Sequence, residues 1–310
     1  IRPTFAWWGW RCACTAPSAE YARDVLRAIS ALELIQACAL VHDDVMDASA
    51  VRRGEPSTHV AFANIHREQG WLGPPERFGL AAAILLGDLA LAWADDLFYG
   101  TTLPADRRAA AGEAWSGMRS EMLTGQYLDV LTQARGDESP GAPLRVARWK
   151  TAAYTVERPL HMGAALGGAD ATTITLLRAF GADIGVAFQL RDDLLGMFGT
   201  TEQTGKPAGD DLREGKRTLL MAEAVTRANQ LGRETEARLL RESLGRQGLG
   251  DAHVERIKNV LVDLGAVGAI ERRIAALTES AMAALRSADL AEPAAKRLAD
   301  LAIAATRRNH

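Results

Sequence analysis

The 310-residue chain carries 36 Lys and Arg against 39 Asp and Glu, a formal charge of −3, and 48% apolar residues. The near balance of charge leaves no basic footprint for nucleic acid or an anionic bilayer surface, so no nucleic acid is expected as a partner and small molecules are. The apolar share, undivided by any linker-like tract, is enough for one large core, and the expectation is a single domain over residues 1–310.

The opening, Ile1-Arg2-Pro3, begins without Met, and the expectation is that part of the natural protein precedes it. The first stretch, IRPTFAWWGWR, has neither the charged start nor the apolar run of a signal peptide. Cys12, Cys14 and Cys38 are too few for a disulfide framework and have no matching ligand pair for zinc, so they are read as small buried hydrophobes. Pro17-Ser18 predicts a helix cap. Apolar residues at three- and four-residue spacing then predict long helices over Tyr21–Met46, Phe78–Tyr99, Arg107–Leu131, Leu144–Leu166 and Thr172–Phe198. Breakers fall between them at Arg53-Gly54-Glu55-Pro56, Gly73-Pro74-Pro75, Gly136 to Pro143 and Gly199 to Gly209, and Gly245 to Gly250 separates two more helices near the end. Short alternating runs of Val, Ile and Thr are almost absent, so the fold is expected to be all-α. Helices rich in Ala and Leu, such as Leu80 to Leu91, are apolar on more than one face and belong inside a bundle. No apolar run of about 18 residues is free of charge, so no integral membrane segment is expected, and the location is read as cytoplasmic.

Two clusters carry the chemistry. The first is His42-Asp43-Asp44-Val45-Met46-Asp47 at the end of an apolar helix, followed by Arg52-Arg53-Gly54. Asp43 and Asp47, four apart, lie about 40° apart around a helix axis and roughly 6 Å along it. Carboxylates gathered on one face at a helix C-terminus repel one another and oppose the macrodipole, a cost that a cation removes. Magnesium suits them, because it takes hard oxygen ligands from one or two carboxylates and fills other positions from substrate phosphates. The second cluster is Phe188-Gln189-Leu190-Arg191-Asp192-Asp193, again ending an apolar helix. A Gly-rich loop follows it, running through Lys206, Asp210 and Asp211 to Lys216-Arg217-Thr218, and its lysines suit point contacts to phosphate. No P-loop spacing is present. Two such clusters point to one polyphosphate held through several metal ions.

At these residues the chain resembles the trans-prenyl diphosphate synthases, the farnesyl and geranylgeranyl diphosphate synthase family, from Arg2 to about Thr218. The resemblance implies a bundle of long helices around a deep central cavity, the isoprenoid synthase type, normally homodimeric, with the two aspartate-rich motifs on opposite walls at its mouth. It implies Asp43, Asp47 and Asp192 as magnesium ligands, with three ions present when substrate is bound, and Asp44 and Asp193 as supporting acids. It places Arg52 on the allylic diphosphate, and Arg53, His59 and Arg2 on isopentenyl diphosphate. Lys150, Thr151, Gln189, Lys206 and Lys216 match the remaining allylic-side positions, and of these Lys150, Thr151 and Gln189 are assigned to catalysis as well as to substrate binding. The implied reaction is head-to-tail, trans condensation of isopentenyl diphosphate with an allylic diphosphate.

Two departures from the family pattern stand out. Gly196 occupies the place where the second motif usually ends in a third aspartate, and the family's Gly-Lys-Arg before the position of Ile1 is not in this chain. Product length is read from Ala39 and Cys38, the fourth and fifth residues before Asp43. Both are small where a farnesyl-length enzyme commonly presents an aromatic ring, so geranylgeranyl diphosphate is expected, with longer-chain or farnesyl products as alternatives. Ile35 and Leu32, or Met122 and Tyr127, are candidates for the floor of the cavity. Three rivals are a class I terpene cyclase, which would need a different second motif, a non-catalytic partner subunit of a heteromeric synthase, and a bundle whose acidic ends are only solvated.

Overall fold

The computed structural model describes residues 1–200, 208–246 and 248–307. They divide into two compact units, Pro17–Arg108 and Ile1–Ala16 with Ala109–His310. Among the described residues the only strands are two-residue pieces, so the all-α expectation holds.

In the unit Pro17–Arg108, helix α2 (Ala19–Met46) starts where predicted: the Ser18 hydroxyl accepts the Tyr21 N–H at 3.1 Å, satisfying one of the free donors of the first turn. It stops directly after the first acidic cluster. Ala48 takes a left-handed φ of 52°, and the N–H groups of Ala48 and Ser49 return to the carbonyls of Val45 (3.4 Å) and Asp44 (3.0 Å). This reverse-turn stop is usually built on glycine, so an alanine there is a strained residue beside the acids. A hairpin follows, β1 (Val51–Arg52) pairing with β2 (Glu55–Pro56) around Arg53 and Gly54, both with positive φ. Helix α3 (Thr58–Glu68) and helix α4 (Pro75–Tyr99) complete the unit, and α4 packs on both α2 and α3. The α2–α4 contact depends on Gly87, where a Cβ would come within 2.1 Å of the His42 ring.

In the other unit, α1 (Arg2–Ala13) packs against α7 (Arg158–Gly167), and α5 (Ala105–Arg135) leads to the short α6 (Gly141–Val146). The expectation of one helix from Leu144 to Leu166 is corrected. Residues Ala147–Glu157 are π-helical, set between α6 and α7. Pro159, in the first turn of α7, has no N–H to give the Thr155 carbonyl, and a widened turn is one way for a chain to absorb that missing bond. Helix α8 (Ala171–Phe198), capped by the Asp170 carboxylate on the Thr173 N–H (2.7 Å), lies against the π-helical segment and against the long helix Ala266–Ser287. One apolar cluster joins Leu190, Leu194 and Met197 of α8 to Leu220, Leu240, Ile257 and Ile270, and a second joins Phe5, Leu160, Phe180, Ile184 and Leu298. Cys12 and Cys38 are buried as expected, and burial pushes their thiols up to about 12 and about 11, whereas Cys14, expected to be buried with them, is only half-buried just past the end of α1.

Among the described residues three helices, α2, α4 and α8, are long and apolar enough by length and composition to cross a membrane. Each carries charge along its length, at Glu33, Asp88 and Asp183, and helices in the interior of a bundle need the same composition.

Candidate active site

One carboxylate cluster stands at the C-terminal end of α2, with the hairpin after it. Asp44 is almost fully buried, and an unpaired carboxylate there would be costly; Arg52 supplies its partner. The Arg52 Nε donates to Asp44 Oδ1 at 2.9 Å, and Nη2 donates to the same oxygen and to Asp43 Oδ2 at 3.3 Å. Burial works against the guanidinium charge, but the hydrogen bonds and charges of Asp44 and Asp43 outweigh it and lift the Arg52 pKa. Arg53 is exposed at the tip of the hairpin with φ 56°, a backbone state that a long side chain rarely adopts without a reason. The half-buried His59 faces Ser57, its Nδ1 at 3.2 Å from Oγ. The hairpin thus fixes the spacing between the acids of α2 and the cations Arg52 and Arg53.

A second carboxylate cluster lies in the other unit, where α5, the π-helical segment and α8 meet. Gly125 lets the backbone at Lys150 approach within 2.1 Å of where a Cβ would be. Lys150 then donates through Nζ to Asp129 Oδ2 at 2.6 Å. The neighbouring Thr151 hydroxyl donates to Gln189 Oε1 at 2.6 Å, and Gln189 Nε2 donates to Asp193 Oδ1 at 2.8 Å, one helical turn on. That relay fixes which way the Gln189 amide faces. Asp193 is buried, and burial first, then the charges of Asp211 and Asp192, push its carboxyl up to about 7 despite the opposing pull of Lys216 and the Gln189 hydrogen bond. Lys216 lies 3.8 Å from Asp193 and 3.5 Å from Asp211. Burial disfavours its ammonium, but Asp211, Asp193, Asp192 and Asp129 together hold it charged well above the usual lysine range. Arg2 is buried, its guanidinium 4.0 Å above the Tyr154 ring and donating to Thr155 Oγ1 at 3.0 Å. Lys206 falls outside the described residues.

Lys150, Thr151, Gln189, Asp192 and Lys216 are therefore brought together in one unit; in the other, Arg52 pairs with Asp43, Asp47 caps α2, Arg53 sits at the hairpin tip and His59 lies in the first turn of α3. Three residues went unassigned in the sequence. Asp129 pairs with Lys150, and its signal was an acid on a buried helix face. Asp211 pairs with Lys216. Arg191, inside the second motif, is a brace: it grips Glu271 with two hydrogen bonds of 2.6 and 2.7 Å and donates to the Thr306 carbonyl. Among the proposed cavity-floor residues, Leu32, Ile35 and Met122 are buried and Tyr127 is exposed.

Among the described residues no three His, Cys, Asp or Glu side chains form a cage able to hold a metal by themselves. The acids gathered here are the hard oxygen donors that magnesium takes, one or two carboxylates at a time with phosphate and water completing the shell. The donor set is right in kind: hard carboxylates in excess over the ammonium and guanidinium groups that pair with them.

The sequence matches the polyprenyl synthetase family over residues 1–261. The chain belongs to that family. It is 32% identical over 244 residues to geranylfarnesyl diphosphate synthase of Natronomonas pharaonis, covering 79% of this chain and 64% of that protein. It is 34% identical over 210 residues to a geranylgeranyl diphosphate synthase of Mycobacterium tuberculosis, covering 67% of this chain and 54% of that protein. The chain thus spans less than two thirds of these two relatives. A crystal structure of geranylgeranyl pyrophosphate synthase from Corynebacterium glutamicum, complexed with isoprenyl diphosphate and magnesium, superposes with a TM-score of 0.95 at 44% identity, covering 99% of this chain and 86% of that one.

Proposed function

We propose that this polyprenyl synthetase is a magnesium-dependent prenyltransferase that joins isopentenyl diphosphate to an allylic diphosphate, head to tail and trans, and releases geranylgeranyl diphosphate. The observation that carries the reading is the pair of carboxylate clusters, each with its own cations, in a chain so similar to a synthase bound to isoprenyl diphosphate and magnesium. Residues 1–310 act as one synthase domain in this reading.

Asp43, Asp47 and Asp192 would hold magnesium, three ions when substrate is present, with Asp44 and Asp193 as supporting acids. The metal supplies charge neutralisation for the departing diphosphate. Arg52, Lys150, Lys206 and Lys216 bind the allylic diphosphate and stabilise the charge that grows on it as its C–O bond breaks, already in place before that charge develops. Arg2, Arg53 and His59 hold isopentenyl diphosphate. Thr151 and Gln189 present oxygen lone pairs to the allylic cation, and the hydrogen bond that the Thr151 hydroxyl donates to Gln189 Oε1 sets the direction of both oxygens. Exclusion of water protects the cation until the isopentenyl double bond attacks, after which a proton leaves to the released diphosphate.

The small residues Ala39 and Cys38 support a cavity deep enough for the geranylgeranyl product. The exposed apolar positions Leu80, Ile84, Leu85, Leu89 and Trp93 along α4 support a homodimer, since a face of that kind is seldom left to solvent. A water-soluble substrate pair supports a cytoplasmic enzyme whose apolar helices pack in protein and not in lipid. The test is incubation with magnesium, labelled isopentenyl diphosphate and, separately, dimethylallyl, geranyl and farnesyl diphosphates, followed by resolution of the dephosphorylated products. A dominant geranylgeraniol peak is expected; a dominant farnesol or longer product would overturn the chain length, and absence of elongation with every primer would overturn the reaction.

A further inference from the structure

The π-helical segment Ala147–Glu157 carries Lys150 and Thr151, and a buried carboxylate closes it. Glu157 is only 2% exposed and is held from two sides. Arg148, in the first turn of the same segment, brings Nη2 to 2.5 Å from Oε2. Arg178 of α8 donates through Nε to Oε1 at 3.0 Å, with Nη2 2.9 Å from the same oxygen. Two guanidinium groups thus meet one buried acid, which would be costly without them.

The Arg148–Glu157 pair has a geometric condition, because its members stand nine residues apart on one continuous helical segment. An α-helix makes about 3.6 residues per turn, so nine residues span about two and a half turns and end on the opposite face. A π-helix, bonded from i to i+5, makes roughly 4.4 residues per turn, so nine residues span about two turns and return to the same face. The pair therefore closes on the wider winding and not on the ordinary one. Rewound as an α-helix, the segment would swing Thr151, six residues before Glu157, by about a third of a turn. The same winding sets the contact with α8. Gly181 lets the two backbones close at Glu157, where a Cβ would lie 2.6 Å from its Cα, and Gly185 does so at Ala152, at 2.5 Å. One turn further along α8, Gln189 accepts the Thr151 hydroxyl at 2.6 Å. Positions 181, 185 and 189 form one stripe of that helix, with Arg178 at its start.

We propose that Glu157 is a positioning residue for the prenyl transfer. Paired with Arg148 it selects the π-helical winding, and paired with Arg178 it ties that winding to α8, so that Lys150 and Thr151 face Asp129 and Gln189. The inference rests on the function proposed above, whose allylic-side residues are the ones this winding aligns. Glu157 acts only through them.

The test uses Arg148→Met in the full chain. Methionine keeps an apolar stem beside the Trp149 ring, over which the Arg148 guanidinium lies at 4.8 Å, and Glu157 keeps Arg178 as its partner, so the buried carboxylate is not stranded. Steady-state kinetics with magnesium and varied allylic substrate should show kcat lowered about 10- to 100-fold through misplacement of Lys150 and Thr151. The KM for isopentenyl diphosphate should stay within about two-fold of wild type, since the change is felt on the allylic side. A brace that served stability alone would lower the melting temperature and leave kcat of the folded enzyme unchanged, and that result overturns the proposal. A crystal structure of the variant supplies a readout free of turnover. Ordinary α-helical bonding over part of Ala147–Glu157, with the Thr151–Gln189 hydrogen bond opened, is expected; an unaltered segment overturns the proposal and leaves the function standing. A wild type that forms no elongation product overturns the function instead, and the variant's crystal structure still decides whether the ion pair holds the winding.

Discussion

Acidification should expose His161. Its Nδ1 lies 3.2 Å from Arg158 Nη1 and accepts from it, so the ring is neutral with its proton on Nε2. Burial, then the charges of Arg158 and Arg178, against a smaller opposing pull from Glu121, lower its pKa to about 4. Above the ordinary value of about 6.5 the imidazole is neutral in both folded and unfolded chains, and the packing it allows is fully available. As pH falls from there toward 4 the unfolded chain takes up a proton that the folded one refuses, so stability is lost across that window. The lowered pKa corresponds to about 3 kcal/mol in total, of which about 2 kcal/mol is gone by pH 5. His161→Asn keeps an acceptor for Arg158 and cannot titrate. Urea midpoints of wild type and variant, measured from pH 8 to pH 5, should converge as pH falls, the wild type losing that much more than the variant. Parallel curves would refute the buried, neutral imidazole.

The remaining predictions concern the site. Asp129→Asn removes the charge that holds Lys150 but keeps an acceptor for it, and is expected to lower turnover about 10- to 100-fold through misplacement of the ammonium. Steady-state kinetics with varied allylic substrate checks this, and unchanged kinetics would make Asp129 a bystander. Asp43→Ala and Asp192→Ala should each cut turnover by about 10²-fold or more while circular dichroism stays helical, a near-normal rate in either contradicting the metal assignment. Ala39→Phe should shorten the product, and an unchanged product distribution would locate the cavity floor elsewhere.

Much of this was legible in the sequence because the signals were local. Ser18 capped the helix it was expected to cap, and the ends of α2, α4 and α8 fell at the expected breakers, since periodicity and capping act within a turn or two. The acid clusters were visible for the same reason, being runs of adjacent residues. The π-helical segment was not legible, because its apolar period imitates that of an α-helix. Pairings between segments were also hidden. Nothing near Lys150 in sequence announces Asp129, and nothing near Arg178 announces Glu157, because both come from backbone that only folding brings close. Arg191 shows the opposite trap, a cation inside a functional motif whose partners, Glu271 and the Thr306 carbonyl, make it a brace.

The central claim is that elongation, and not hydrolysis or cyclisation, releases the allylic diphosphate. The most direct measurement follows inorganic diphosphate release in real time with magnesium and geranyl diphosphate, with and without isopentenyl diphosphate. Release that requires both substrates, proceeds mole for mole with label incorporated into product, and stops on chelation is the predicted result. Release from the allylic substrate alone, or incorporation that persists without metal, would contradict it.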